Sequence, residues 1–421
     1  MPLSISPPAM PLNHKVKVLP LDMVDDINAS SRCGSESVNL NTFINTHIEL
    51  KKLRFHVPNA EGKSKCHKMH IGGNKEMCQE LKVHGTAMES VKEDTYLGDL
   101  ISSDGKNKKN VEKRISKGLG IITQILNLLD IVSFGKHHIE MALLLRESMF
   151  INGILFNAEI WYGLNKAEIN DFEDLDRLLL RRILKAPISS PKESFHLELG
   201  LIPIGEIIKI RRIQYLHHLV TRDQNEMLFQ FFLTQLTNPT KGDWTETVKV
   251  NLEEYEIPLD FEQLKIKSKD SFKKALKKKA KEVALEKLKK QQEKHSKMKR
   301  LEYSKLEIQP YFLLPEVKVD QARNLFKLRT RMAPLGENFR GYRDSVICPL
   351  CKIEVDSQDH FFQCQVMREK VEIECDMEDI YTDTITQDTA DTVTKMLETR
   401  KNLLEKIEKK SEETDENEEE S

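Results

Sequence analysis

Apolar residues recur at spacings of three and four from Val111 onward, and this pattern constrains the fold more than any other feature of the sequence. The first repeating positions are Val111, Ile115, Leu119, Ile122 and Leu126. Such spacing places apolar side chains on one face of an α-helix. Residues 137–163, 165–186 and 205–222 continue in the same way, with Gly, Pro and Asn between them. A helical bundle with short connections is therefore predicted for residues 106–240.

The chain before this bundle has a different pattern. Short runs of strand-forming residues alternate with loops in residues 21–105, and a helical stretch lies between the first two runs. The runs are LDMVDD, LRFHV, CHKMHI, ELKVHG and TYLGDLIS. Residues 1–20 contain several prolines and are predicted to be irregular. The predicted fold class is therefore mainly α with a small α+β unit at residues 21–105.

Charge is strongly segregated along the second half of the chain. Residues 265–300 contain 16 Lys and Arg against 4 Asp and Glu, whereas residues 405–421 contain 9 acids against 3 lysines. Residues 241–313 are predicted to be a connector followed by a Lys-rich helix that docks weakly or protrudes, because most of its circumference is charged. Residues 376–421 are predicted to be a helix followed by an acidic tail, disordered from Glu412.

The Lys-rich helix has two interpretations. Its lysines can neutralise phosphates, and nearby aromatic rings can stack on bases, which would make it a nucleic-acid contact. The candidate lysines are Lys273, Lys274, Lys277, Lys278 and Lys281. Alternatively, the segment is only a solvated charged helix.

Cysteine and histidine spacing predicts a metal site near the C-terminus. Seven cysteines without a secretory signal favour reduced thiols over disulfides. Residues 314–375 are predicted to be a helix and a zinc knuckle with the pattern C-x2-C-x8-H-x3-C, formed by Cys348, Cys351, His360 and Cys364. Zinc in structural sites takes four such ligands in a tetrahedron, and a filled set leaves no open position for catalysis. The alternative is a group of half-buried thiols without a metal.

Two adjacent carboxylates occur close to the start of the chain. Asp25 and Asp26 follow a short apolar run, the arrangement by which the end of a strand presents acids to Mg²⁺. A pair alone is half of a two-metal site, because such a site takes carboxylates from more than one strand. The alternative is a solvated turn after a strand.

Taken in order, these motifs resemble the C-terminal half of a non-LTR retrotransposon (LINE-type) reverse transcriptase. The likeness covers most of residues 21–370. It is carried by five segments in the family's order: MVDD, LRFHVPNAEGKSKCHKMHIG, DTYLGDLISSDG, LDRLLLRRILKAPISSPKESFHLELGLIPI and CPLCKIEVDSQDHFFQC. The resemblance implies that residues 21–105 are a remnant of the polymerase palm and that residues 106–240 are a thumb-like bundle.

The same resemblance implies roles for individual residues. Asp25 and Asp26 fall on the metal-binding acids of the palm hairpin, with Met23 in place of the usual aromatic residue. Lys63 or Lys65 falls near the incoming nucleotide. The expected primer-grip turn contains Tyr96, Leu97 and Gly98.

One departure from the family pattern bears on activity. The other catalytic aspartate and the fingers lie upstream of the hairpin in this family, whereas the 24 residues before Asp25 contain one acid, Asp22, on the same expected strand. The Mg²⁺ site is therefore expected to be incomplete and the RNA-directed DNA polymerase inactive, leaving weak, sequence-independent binding of RNA or DNA.

A second class of function is a helical interaction or scaffold protein with a structural zinc site, whose charged tails contact a protein partner. No signal peptide or uninterrupted apolar span is found, so an intracellular protein, cytoplasmic or nuclear and without membrane contact, is expected.

Overall fold

The computed structural model describes residues 21–23, 26–28, 41–42, 67–71, 81–83, 86–339, 345–373, 375–382 and 385–419. In these ranges the chain is mainly helical with a small strand-containing part, as the sequence predicts. It divides into two compact units, residues 1–111 with 222–238 and residues 112–221 with 239–421. No described helix is long and apolar enough to cross a membrane.

Strands occur in the first unit and pair two by two. They are β1 (Leu21–Met23), β2 (Asp26–Asn28), β3 (His67–Lys68), β4 (Lys82–Val83), β5 (Thr86–Ala87), β6 (Glu89–Ser90), β7 (Glu93–Tyr96) and β8 (Asp99–Ser102). The pairs β1 and β2, β4 and β5, and β7 and β8 are antiparallel, whereas β3 and β6 are parallel. The predicted strand-rich character of residues 21–105 is confirmed where the structure describes them.

The hairpin of β7 and β8 is the longest of these pairs. Tyr96 is opposite Asp99, and the two residues between them have positive φ angles, +46° at Leu97 and +89° at Gly98. Positive φ at both positions gives a turn whose twist matches that of paired strands. The turn that the resemblance implies for TYLGDLIS is therefore present as a hairpin, while its role as a primer grip stays a prediction.

Helices make up most of the described chain. In chain order they are α1 (Lys108–Ile131), α2 (His138–Leu145), α3 (Lys166–Ile183), α4 (Lys192–Leu199), α5 (Ile204–Val220), α6 (Met227–Thr237), α7 (Trp244–Glu254), α8 (Phe261–Ile266), α9 (Lys269–Gln292), α10 (Val319–Arg329), α11 (Gln358–Gln363), α12 (Gln365–Arg368) and α13 (Gln387–Glu419). A π-helical turn, Arg146–Ile151, continues α2 into a last turn at Asn152–Ile154. Most of α1 and all the others except α6 belong to the second unit.

The core of the second unit surrounds α5. Helices α3, α7, α8 and α9 all pack against it, and its side chains are buried on several sides, among them Ile208, Ile213 and Leu216. A helix enclosed in this way needs apolar residues around most of its circumference rather than along one stripe. This explains why α5 is rich in isoleucine and leucine.

The Lys-rich helix α9 is docked, which corrects the prediction that it docks weakly or protrudes. Its buried positions follow a spacing of four, at Phe272, Leu276, Ala280, Ala284 and Leu288, and they pack on α4 and α5. The ring of Phe272 stacks on His217 with 4.3 Å between centroids. A narrow stripe of small and apolar residues, joined by Leu285 in the second half of the helix, is therefore sufficient for docking, although most of the circumference is charged.

Two further predictions are corrected. Residues 243–261, predicted to be a connector, contain α7. This helix begins after Asp243, whose carboxylate accepts the N–H of Glu246 over 2.8 Å. Apolar residues at Trp244, Val248 and Leu252 bury one face of this helix. At the other end of the chain, α13 continues to Glu419 through residues predicted to be disordered from Glu412. Glu and Lys have high intrinsic helix propensities, so a segment rich in them can extend a helix.

Candidate metal centre and lysine face

The first two predicted ligands lie in a short hairpin. An antiparallel bridge between Ile347 and Val355 closes it, and the N–H of Cys348 donates to the C=O of Glu354 over 2.7 Å. Lys352 has a φ of +60°, and its N–H donates to the C=O of Cys348 over 2.8 Å. This tight turn brings Cys351 back beside Cys348.

The other two ligands lie on the helix that follows the hairpin. Ser357 caps α11, and its hydroxyl accepts the N–H of His360 over 3.1 Å. Cys364 directly follows the helix, and its N–H donates to the C=O of His360 over 2.6 Å. One helical turn therefore separates the imidazole and the thiol, as their spacing in the sequence predicts.

The four side chains converge. Their ligand atoms all lie within 4.8 Å of one another, and the Sγ of Cys351 lies 3.3 Å from the Nε2 of His360. Cys348, His360 and Cys364 are buried. Three sulfurs and one imidazole nitrogen in so small a space could hold a metal ion such as zinc, whose ligand bonds are about 2.0 to 2.3 Å long.

Glu354 is a further residue of the candidate metal centre, and the ligand spacing does not predict it. Its Oε2 lies 3.1 Å from the Nδ1 of His360, so it can accept a hydrogen bond from a protonated Nδ1. The unprotonated Nε2 then faces the thiols. Carboxylates that hold the second nitrogen of a histidine ligand fix its orientation and tautomer. No regular spacing marks Glu354 in the sequence, because the hairpin alone brings it to His360.

The thiols have different electrostatic environments. Burial would raise the pKa of Cys351, but hydrogen bonds from the N–H groups of Glu354 and Ile353 and from neighbouring ligands lower it to about 7. Burial raises the pKa of Cys364 to about 11, and the nearby Cys348 adds to this. A divalent cation at the centre would favour the thiolate form of every sulfur.

The hairpin is joined to the rest of the second unit through Asp356. This residue is fully buried, and its Oδ2 accepts the N–H of Gly336 and an N–H of Arg400, each over 2.6 Å. Its own N–H donates to Val346 at the base of the hairpin over 2.8 Å. The candidate metal centre is therefore anchored to α13 by a buried ion pair.

The predicted lysines of α9 are brought onto one face. Lys273, Lys274, Lys277 and Lys278 are exposed and Lys281 is half-buried, and together they lie on neighbouring rows of the helix beside the buried stripe. In the described part of the chain, no carboxylate forms an ion pair with any of the five. We call these five residues the lysine face.

Other lysines of the same segment are paired. Lys279 contacts Glu256, and Lys287 contacts Glu254 and, over 2.6 Å, Glu206. These pairs hold α9 to α5 and α7. The five lysines of the lysine face are therefore distinct from those that hold the helix in place, and their role as a nucleic-acid contact stays a prediction.

The remaining predicted site residues belong to the first unit. Tyr96, Leu97 and Gly98 form the turn of the β7–β8 hairpin. Asp26 lies in β2, where its backbone is opposite Met23, but its side chain is outside the described part. Asp25, Lys63 and Lys65 also lie outside the described residues. The polymerase-like site is thus neither assembled nor contradicted by the structure.

Comparisons of the chain with protein-family models, with curated proteins and with solved structures found no match. The resemblance to non-LTR reverse transcriptases consequently rests on the order and residues of the motifs in the sequence.

Proposed function

We propose that this chain is a nucleic-acid-binding part of a protein of the non-LTR reverse transcriptase type, with a structural zinc knuckle. The observation that carries the binding proposal is the lysine face of α9. The order of the motifs supports the relationship to the reverse transcriptases.

The lysine face has the properties of a contact with a phosphate backbone. Its residues include two rows with a spacing of four, Lys273 with Lys277 and Lys281, and Lys274 with Lys278. Successive ammonium groups in a row are about 6 Å apart along the helix axis. Such a face neutralises phosphates by charge and reads no base edge, so the binding is independent of sequence.

Docking of α9 makes this face a fixed surface. Because the buried stripe of the helix packs against α4 and α5, the lysines do not depend on nucleic acid to order their backbone. Binding then orders only side chains, which costs less conformational entropy than folding a free segment. A docked helix therefore supports binding better than the protruding helix expected from the sequence.

Zinc is the metal that best fits the candidate centre. Soft thiolates with one imidazole favour zinc over Mg²⁺ or Ca²⁺, which prefer oxygen ligands. Four protein donors leave no position for a reacting water, so the proposed role of the metal is structural.

A binding measurement with two matched triple variants tests the lysine face. Lys274, Lys278 and Lys281 are changed to Gln in one variant. In the other, Lys289 and Lys290 at the end of the same helix and Lys294 just beyond it are changed to Gln, so that each variant loses three charges. Fluorescence anisotropy of labelled single-stranded RNA and duplex DNA is measured from about 50 to 200 mM salt.

Only the first variant should lose affinity, and it should lose it to a similar extent for every sequence tested. Its slope of log K against log salt should decrease in magnitude by about 2 to 3, because roughly one counterion is released for each lysine that contacts a phosphate. Equal losses in both variants would show that net charge and not this face controls binding, and no loss in the first would remove the proposal.

A further inference from the structure

Arg212, on the central helix α5, carries a positive charge into the core of the second unit. Only 5% of its surface is exposed. Its Nε donates to the backbone C=O of Trp161 over 2.9 Å, but its Nη2 is buried without an acceptor in the part of the chain that the structure describes. An arginine stays protonated in proteins, so the charge cannot be removed by losing a proton.

No carboxylate of the described chain compensates this charge. Burial lowers the pKa of Arg212 to about 10, and no acidic group acts against that shift. The preceding residue gives a contrast. Arg211 is also partly buried, and burial lowers its pKa, but Glu159 and Glu147 act in the opposite direction. Its guanidinium also donates to the C=O of Leu155 and, over 2.9 Å, to the Oδ1 of Asn152.

Trp161, whose carbonyl receives the Nε of Arg212, has a second buried donor. It is 3% exposed, and its indole Nε1 has no acceptor among the described residues. Its ring stacks on Phe172 with 5.9 Å between centroids. The residues on either side of it, Ile160 and Tyr162, are exposed, so this contact lies just below the surface.

A buried charge without a partner is strongly destabilising, and each buried donor without an acceptor adds to that cost. The terminal nitrogens of a guanidinium match the paired oxygens of an oxyanion, and Nε is already engaged at Trp161. We infer that Arg212, with Trp161, forms a binding site for an oxyanion of the phosphate class, taken up as free phosphate or as a phosphodiester of nucleic acid. This inference does not depend on the lysine face.

Thermal unfolding of the full zinc-loaded chain tests the site. The unfolding midpoint is measured in inorganic phosphate and in chloride at equal ionic strength, for the unmodified chain, Arg212→Met and Arg211→Met. Phosphate at about tenfold its Kd should raise the midpoint by about 2 to 4 °C in the unmodified chain and in Arg211→Met. In Arg212→Met this rise should be absent, since Met preserves much of the side-chain volume but not the charge.

Trp161 provides a direct readout, because the chain contains only two tryptophans. In a Trp244→Phe background, phosphate should change the emission of Trp161 saturably, and Arg212→Met should abolish that change. A short oligonucleotide in place of phosphate distinguishes the two sources. A response to phosphate alone identifies a small-anion site, and a response to the oligonucleotide alone identifies a backbone contact.

The inference is overturned if neither phosphate nor the oligonucleotide shifts the midpoint or the emission. It is also overturned if Arg211→Met and Arg212→Met lose the response equally. In either result, ordered water would be the partner of the guanidinium, and water shows no preference between phosphate and chloride buffers.

Discussion

Glu198 shows how one residue can join distant parts of the chain. It has no exposed surface, and it accepts hydrogen bonds from the hydroxyls of Tyr303 and Tyr311 over 2.6 and 2.7 Å. Arg329 donates its Nε to the same carboxylate over 3.0 Å, and its Nη1 to the C=O of Ile380 over 2.6 Å. These bonds join α4, α10 and the segments before and after α10. A charge so deeply buried is tolerated only because every partner is present.

Replacing Arg329 by Met should therefore destabilise the chain severely. The change leaves the carboxylate of Glu198 buried beside two neutral donors, and breaking a buried pair in this way costs about 3 to 5 kcal/mol. Urea unfolding followed by circular dichroism measures the loss. Lys185→Met is the control, because Lys185 and Asp320 form an exposed pair 3.8 Å apart and its loss should have little effect. Equal stability of the two variants would contradict the role given to Glu198.

Glu173 makes stability depend on pH. Burial raises the pKa of its carboxyl to about 7, Asp176 adds to the rise, and the N–H of Gly205 acts against it. Between pH 4.5 and 7, the carboxyl of Glu173 is therefore protonated in the folded state and ionised in the unfolded state. The stabilisation is fully present below the ordinary pKa of about 4.5 and is lost as pH rises through 7.

The variant Glu173→Gln isolates this effect. Between pH 5 and 8, the free energy of unfolding of the unmodified chain should fall relative to that of the variant, by of the order of 3 kcal/mol. Asp174→Asn, at the exposed neighbouring position, removes the same charge and should leave the profile unchanged. Parallel profiles for the unmodified chain and Glu173→Gln would show that the carboxyl titrates normally.

At the scale of an element, Gly200 decides how α4 ends. Its φ is +64°, and a Cβ placed on it would lie 2.3 Å from the backbone of Glu307 and Ile308. That approach allows the bridge between Leu199 and Ile308 and the bond from the N–H of Gln309 to Glu198 over 2.9 Å. The helix terminus and the strand-like segment 307–309 can therefore meet only if residue 200 has no side chain.

Gly200→Ala should cost much more than the usual penalty for alanine at positive φ. Gly163 is the matched control, because its φ is +63° and nothing lies within 4 Å of an added Cβ. Gly163→Ala should cost about 1 kcal/mol from backbone conformation alone, whereas Gly200→Ala adds a clash with main-chain atoms. The denaturant midpoints of the two variants measure the difference between these two costs. Equal midpoints would mean that segment 307–309 moves aside freely.

At the scale of the whole second unit, the candidate metal centre is integrated rather than separate. Asp356 is paired with Arg400 of α13, and Asp359 of α11 accepts from Arg331 over 2.8 Å and Arg300 over 3.1 Å. These contacts reach α13, the end of α10 and the segment after α9. Metal bound by the four ligands should consequently stabilise parts of the chain far beyond residues 345–364.

Removing zinc should therefore loosen α13 as well as the knuckle. Metal binding supplies about 10 kcal/mol or more in small zinc-finger units, so a chelator or Cys351→Ser should lower the unfolding midpoint by many degrees. Hydrogen exchange should accelerate both at the hairpin and around Arg400. Elemental analysis should find one zinc per chain, lost in Cys351→Ser and kept in Cys375→Ser, which changes a buried cysteine outside the cluster. Exchange that stays unchanged at Arg400 would show that the knuckle and α13 are independent.

Much of the local structure followed from periodicity and spacing. Helices α1, α3 and α5 and the convergence of the four Cys and His ligands were predicted, because each depends on residues close in sequence. The hairpin at Leu97 and Gly98 was expected only from the resemblance. The predictions failed at α7, where polar residues dilute the apolar pattern, and at α9, whose docking depends on partners that the segment itself does not contain.

The sequence by itself therefore determined the type and order of most elements, the four residues of the candidate metal centre and the group of exposed lysines on α9. The tertiary structure alone decided which lysines are already paired, that Glu354 orients His360 and that Asp356 joins the knuckle to α13. It also decided that Arg212 is buried without an acid. The physical reason is that burial and charge compensation arise between residues far apart in the chain. A local sequence pattern therefore does not identify the partner of a buried or charged residue.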